Sequence, residues 1–179
     1  MKLKPEIKQF IKDNLHLIDT DDWNTFWGLV DKNVIFEDLQ DVKDVTEFLL
    51  ECGCSPLKNC KTVPEGYLCC SDRSTISIPE GILDISFGAF CGMENLTNVV
   101  IPHTVELIGN RAFGECVNLE EVTILNPNVM LGRSVFSKCS KLMLLKYNGT
   151  KKQFDSCFND VAPLNEGCLV ITTEGPIQL

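Results

Sequence analysis

The chain is short of basic residues and has no apolar run long enough to cross a membrane. It holds 16 lysines and arginines against 25 aspartates and glutamates, which gives a net charge of −9. This balance disfavours nucleic-acid backbone as a partner and serves either solubility or the attraction of a basic protein. A bilayer-spanning helix needs about 20 consecutive apolar residues, and the sequence offers no such stretch. We therefore expect no membrane partner and treat nucleic acid as an unfavoured one.

The patterns of common catalytic and metal sites are also missing from the sequence. His16 and His103 lie far apart without a carboxylate pattern beside them, and there is no Cys-x-x-Cys pair. The glycines form no run that would cradle a phosphate. We therefore predict a protein that is not an enzyme, with no catalytic residue, no metal and no cofactor.

The chain does contain an apolar pattern that returns every 23 residues. Five ladders keep the same phase: Phe90, Phe113 and Phe136; Leu96, Leu119 and Leu142; Ile78, Ile101, Ile124 and Tyr147; Ile76, Val99, Val122 and Leu145; Ala89, Ala112 and Val135. Such phase agreement indicates that each repeat is one structural unit stacked on its neighbour, as in a solenoid. Solenoids present extended binding surfaces, so the pattern favours binding over chemistry.

Two of the ten cysteines share one position of the repeat, which indicates reduced thiols. Cys116 and Cys139 share a repeat position that Met93 fills one unit earlier, so the position requires a small polarizable group and not a bridge. The first ten residues include three lysines and lack the uninterrupted apolar core of a secretion signal. Both features predict a cytoplasmic location.

Residues 1–60 have helical periodicity and lack the 23-residue pattern. Pro5 marks the start of a first helix, Trp23 and Trp27 lie on a second, and Asp41 opens a third. These residues predict an N-terminal cap of three helices.

The array itself is predicted to span residues 71–150, after a linker at 61–70 that is rich in turn residues. Residues 151–179 depart from the period and predict a C-terminal cap. Its last strands, around a Glu-Gly-Pro turn, predict a hairpin that would cover the exposed edge of the solenoid. The expected fold is an α/β solenoid, namely a short leucine-rich-repeat array between a three-helix cap and a β-hairpin cap.

Three segments resemble the BspA-type (Treponema-type) leucine-rich repeat. They are Ile-Pro-Glu-Gly-Ile at 78–82, Ala-Phe-Cys-Gly at 89–92 and Ile-Gly-Asn-Arg-Ala-Phe-Gly-Glu-Cys at 108–116. A unit of that family reads approximately Ile-Gly-x-x-Ala-Phe-x-x-Cys-x-x-Leu-x-x-Ile-x-Ile-Pro. The resemblance implies a leucine-rich-repeat fold and a binding role. Members of the family include surface adhesins and occur in intestinal bacteria and their phages, and a short, non-secreted member, encoded by a bacterium or a phage, fits this chain.

Alternation along the repeat strands predicts which side chains face solvent. If Val99 and Ile101 point inward, the residues between them and their equivalents point outward: Asn98, Val100, Glu121, Thr123, Leu144 and Lys146. Four strands of roughly 17 Å at about 4.8 Å spacing give a face near 350 Å², whereas a stable interface needs about 800 Å² per partner. We therefore expect a composite site in which Asp21 and Asp22 of the helical cap steer a basic partner. The alternative is also open: the strand residues form a solvated sheet face that binds nothing, and Asp21 and Asp22 then only cap helices.

Three functions remain compatible with the sequence. The first is a cytoplasmic protein–protein interaction module whose partner is an unidentified protein. The second is a phage or mobile-element inhibitor that blocks a host defence protein by occlusion and acts in the host cytoplasm. The third is a fragment of a surface adhesin, and self-association into a homo-oligomer is open in each case.

Overall fold

The computed structural model describes residues 4–14, 39–51, 56–57, 60–158 and 164–178. Within them the chain forms an α/β solenoid, and each of its central turns contributes one strand to each of two sheets. The fold class predicted from the repeat is confirmed.

The first sheet contains four short strands in the order β1-β2-β4-β6, all parallel. We call it the short-strand sheet, and its members are β1 (Thr62–Val63), β2 (Asp84–Ile85), β4 (Leu107–Ile108) and β6 (Met130–Leu131).

The second sheet contains five longer strands in the order β3-β5-β7-β8-β9. These are β3 (Asn98–Ile101), β5 (Glu121–Ile124), β7 (Leu144–Tyr147), β8 (Leu169–Thr172) and β9 (Gly175–Gln178). The first four strands are parallel, and β9 runs antiparallel to β8.

The core lies between the two sheets and is built from the predicted ladders. Along β3 and β7 every second residue is buried, as the alternation of the repeat predicted. Phe113 is fully buried, and its ring stacks on Phe90 at 5.2 Å and on Phe136 at 5.8 Å between centroids. Tyr67 extends this column by an edge contact with Phe90 at 5.9 Å. The aromatic column therefore ties consecutive turns together along the solenoid axis.

Each turn reverses through a segment that requires two left-handed residues, four positions apart. Gly88 and Gly92 occupy these positions in one turn, and Arg111 (φ 54°) and Glu115 (φ 63°) occupy them in the next. Left-handed geometry costs a side-chain-bearing residue roughly 1–2 kcal/mol, so the stacked neighbours must hold it in place. Backbone bonds between turns do so, for example from the Glu115 N–H to the Ser137 carbonyl at 2.7 Å.

The N-terminal cap includes α1 (Pro5–Asn14) and α2 (Leu39–Glu51), which correspond to the first and third predicted helices. Ile11 of α1 and Val45 of α2 are fully buried against the core. The Lys43 ammonium donates to the Cys70 carbonyl at 2.8 Å, and the Ser71 hydroxyl donates to Glu47 at 2.7 Å. The predicted second helix lies outside the described residues.

The predicted linker at 61–70 is part of the solenoid. It contains β1, which pairs with β2, and the Leu68 N–H donates to the Ala89 carbonyl at 2.8 Å. Thr62 and its partner Asp84 are 22 residues apart, one fewer than the spacing of later partners such as Asp84 and Leu107. This shortened first turn explains why a search at a 23-residue interval places 61–70 outside the array.

The C-terminal cap consists of α3 (Lys151–Phe158) and the β8–β9 hairpin. Phe154 and Phe158 stack at 4.3 Å, and both contact the Tyr147 ring edgewise. The predicted hairpin is confirmed, and β8 also continues the parallel sheet beyond β7.

Candidate protein-binding surface

The outward side of the five-stranded sheet carries two straight rows of side chains. Strand register aligns Asn98, Glu121, Leu144 and Leu169 in one row and Val100, Thr123, Lys146 and Ile171 in the other. We call these eight residues the strand face. In-register parallel pairing fixes them at the strand spacing of about 4.8 Å, so the face is preorganised.

The strand face is apolar at its two ends and charged in the middle. Val100 is 56% exposed at one end, while Leu169 and Ile171 are 40% and 37% exposed at the other. Between them the Lys146 ammonium donates to the Glu121 carboxylate at 2.6 Å. An exposed ion pair of this kind contributes only about 0–1 kcal/mol to stability. Lys146 and Glu121 can therefore separate and pair with charged groups of a bound protein.

All six strand residues predicted to face solvent lie on this surface. Asn98, Val100 and Lys146 are exposed, and the other three are half-buried: Glu121, Thr123 and Leu144. The two cap residues predicted to join the site, Asp21 and Asp22, lie outside the described residues.

Leu169 and Ile171 belong to the strand face although the repeat pattern did not identify them. Leu144 and its partner Leu169 are 25 residues apart, because α3 lengthens the last connection. The signal available in the sequence was the alternation itself, since Val170 and Thr172 are buried between exposed neighbours.

A groove extends the strand face towards the N-terminal cap. It encloses about 340 Å³ and is lined by Val100, Asn98 and the residues 75–78 of the preceding turn. On the other side of residues 75–77 lies a second cavity of about 690 Å³, whose lining includes Leu50 of α2 and Leu57. The two cavities therefore share the residues 75–77, which lie between the strand face and the cap.

A second apolar surface lies on the short-strand sheet. Met130 is 62% exposed and Phe87 is 43% exposed, and Leu107 is the register partner of Met130. We call Phe87, Leu107 and Met130 the short-strand patch. A cavity of about 610 Å³ between β6 and α3 adjoins it and is lined in part by Cys157. This patch was not identified from the sequence and competes with the strand face as a docking surface.

The described residues place no group of three or more His, Cys, Asp or Glu where it would hold a metal ion. His103 contacts the Glu80 carboxylate at 3.1 Å, and both side chains are well exposed. None of the helices that the structure describes has the length and apolar character required to cross a membrane.

A family model for the BspA type leucine rich repeat region matches residues 61–169 in six copies. No curated protein and no solved structure matches the chain significantly. The family match begins at the first turn of the solenoid and reaches β8, so it covers more than half of the chain. The chain therefore belongs to the BspA-type leucine-rich-repeat family.

Proposed function

We propose that this protein is a non-catalytic, cytoplasmic module that binds another protein through the strand face and the adjoining N-terminal cap. The observation that carries the proposal is the pair of aligned rows, in which exposed apolar side chains flank one exchangeable ion pair. Protein interfaces combine apolar side chains with a few polar groups that set orientation, and the strand face carries side chains of both kinds.

The size of the strand face requires a contribution from elsewhere on the molecule. The four strands that carry the strand face, at about 4.8 Å spacing and with four residues of about 3.3 Å each, cover roughly 250 Å². A specific interface buries about 800 Å² on each partner. Two cavities share residues 75–77 in their lining, and one includes Val100 while the other includes Leu50 of α2, so the cap is a neighbouring source of the missing area.

Matched arginine substitutions test which surface binds. Val100→Arg places a charge on the strand face, and Met130→Arg places the same charge at an apolar position of the short-strand patch that is similarly exposed. Both tagged variants and the parent protein are incubated with lysate of the native host, and retained proteins are quantified by mass spectrometry. We expect one partner that the parent and Met130→Arg retain equally. Its retained amount should fall about tenfold or more with Val100→Arg, because the new charge would be buried without a partner where the strand face meets the groove.

The melting curves of both variants serve as the control, because each substitution is on the surface and should change stability by less than about 0.5 kcal/mol. A partner lost by Met130→Arg and kept by Val100→Arg would transfer the binding site to the short-strand patch. Retention by both variants would exclude both surfaces.

Association kinetics test the contribution of the acidic cap. Replacing Asp21 and Asp22 with lysine should slow association, and the effect should fade at high salt, because long-range steering is screened. Reversing Glu121 or Lys146 alone should mainly raise the dissociation rate. The double exchange Glu121→Lys with Lys146→Glu keeps an internal ion pair and serves as the matched control. An unchanged association rate in the variant with lysine at positions 21 and 22 would show that the acidic residues of the cap do not steer the partner.

An inhibitor that occludes a host defence protein is a narrower form of the same proposal. The net charge of −9 favours a basic target surface such as a nucleic-acid-binding site. The test is whether the purified protein competes with nucleic acid for the captured partner. Simultaneous binding of both would contradict the inhibitor form and leave the interaction module intact.

A further inference from the structure

Cys69 and Cys70 present two thiols side by side at the surface of the first turn. Their sulfur atoms lie 3.7 Å apart. Cys70 is exposed and Cys69 is partly exposed, so small molecules reach both. Consecutive side chains of an extended chain point to opposite sides, but Cys70 has a left-handed backbone with φ 55°. The pairing of the sulfurs therefore depends on the conformation of this turn and not on sequence adjacency alone.

Contacts with the next turn and with the N-terminal cap hold this conformation. The Cys70 N–H donates to the Cys91 carbonyl at 2.6 Å, and the Cys70 carbonyl accepts from the Lys43 ammonium of α2 at 2.8 Å. A Cβ added at Gly92 would lie 2.8 Å from the Cys70 sulfur, so this sulfur occupies space that only glycine leaves open. The two thiols are thus positioned before anything binds them, which lowers the entropy cost of binding.

The distance between the two sulfurs sets the geometry of what they can hold together. A central atom bonded to both sulfurs at about 2.3 Å, the length of a zinc–thiolate bond, would subtend an angle of about 107° at the observed separation of 3.7 Å. A linear two-coordinate centre would need sulfurs about 4.6 Å apart. Because sulfur ligands prefer soft centres, the pair suits a soft atom of pyramidal or tetrahedral geometry.

The number of ligands narrows the choice of that atom. Protein zinc sites use three or four protein ligands, and the described residues contain no group of three or more His, Cys, Asp or Glu that could hold a metal ion. A monosubstituted trivalent arsenic compound needs only two sulfurs, since arsenic makes three bonds and one goes to its own organic group. We propose that Cys69 and Cys70 form a dithiol site that chelates such trivalent arsenicals, independently of the protein-binding function.

Chelation exchanges oxygen for sulfur on the arsenic without a change of oxidation state. With an arsenoxide, R–As=O, both bonds between arsenic and oxygen break and two As–S bonds form. The two thiol protons leave with the oxygen as one water, and no oxidant is required. Once one sulfur has reacted, the other is already 3.7 Å away, so the second bond forms at high effective concentration.

Thiol protection by phenylarsine oxide tests the site on the full, reduced chain. One equivalent is added, the free thiols are alkylated briefly, and tryptic peptides are mapped by mass spectrometry. Trypsin places Cys69 and Cys70 in peptide 62–73. We expect one phenylarsine group per chain on this peptide, with both of its thiols protected, while the partly exposed Cys91 and Cys157 remain open to alkylation. The dithiol 2,3-dimercaptopropanol should release the group, and the same concentration of mercaptoethanol should not.

Single substitutions test whether both sulfurs are required. Cys69→Ser and Cys70→Ser should each raise the phenylarsine oxide concentration for half-occupancy of peptide 62–73 by about a hundredfold or more, because the chelate effect is lost. Cys91→Ser is the matched control and should leave it unchanged, and melting curves verify that the variants are folded.

Protection of other cysteines in place of Cys69 and Cys70 in the parent protein, or release by mercaptoethanol, would overturn the proposal whether or not the variants fold. Undiminished binding by a folded Cys69→Ser or Cys70→Ser variant would show that one thiol suffices and would also overturn it.

Discussion

Truncation of Phe113 to alanine removes the centre of the aromatic column. The ring is fully buried and stacks on a ring on each side, with centroid distances of 5.2 Å to Phe90 and 5.8 Å to Phe136. Each aromatic pair adds about 0.5–1.5 kcal/mol beyond the area buried. The turns on both sides are held by sheet hydrogen bonds, so the cavity cannot collapse, and a Phe→Ala change in such a site costs about 3–5 kcal/mol.

The assay is thermal and urea unfolding followed by circular dichroism. For a chain of 179 residues, this loss should lower the melting temperature by roughly 6–20 °C. Phe87→Ala is the matched control, since it makes the same chemical change at a side chain that is 43% exposed. We expect the control to cost about 1 kcal/mol or less. Equal destabilisation by the two variants, or an unchanged melting temperature in Phe113→Ala, would show that the ladder is not the core of the solenoid.

Other substitutions test the stacking of the turns and the state of the thiols. Gly132→Ala should lower the free energy of unfolding by about 2 kcal/mol or more, because its Cβ would lie 2.5 Å from the Asn110 nitrogen. Gly114→Ala, whose Cβ would meet the Ser137 hydroxyl at 3.2 Å, should cost less, and the opposite order in urea unfolding would contradict this packing. Ser134→Gly should raise stability by up to about 1 kcal/mol, because Ser134 has φ 57°, and a loss of stability would refute strain there. Dithiothreitol should leave the melting temperature of the untreated protein unaltered, since the eight described cysteines are free, and a drop of several degrees would indicate disulfides.

The central turns could be predicted from the sequence because their repeat length is constant. Buried ladder positions such as Phe113 and Leu119 recur every 23 residues, and the alternation in β3 identified Val100 as an outward residue. The ends could not be placed by the same rule. The first pairing spans 22 residues and the last spans 25, so β1 and the strand-face residue Leu169 are out of phase with the ladders.

The left-handed residues of the turns could not be predicted from the sequence for a different reason. Left-handed backbone is usually indicated by glycine, as at Gly88 and Gly92, but later turns carry charged or polar residues at the equivalent positions, such as Arg111 and Lys138. Their conformation is imposed by stacking on the neighbouring turn, and a sequence pattern does not record that contact.

Binding of another protein through the strand face is tested most directly by photo-crosslinking at two matched positions. A photoreactive phenylalanine analogue replaces Val100 on the strand face in one variant and Met130 on the short-strand patch in the other, and both are irradiated in native host lysate. We expect the variant at position 100 to crosslink the same partner that Val100→Arg loses, and the variant at position 130 to leave it unlinked. Crosslinking of that partner from position 130 and not from position 100, or only of a second copy of this chain, would contradict the account.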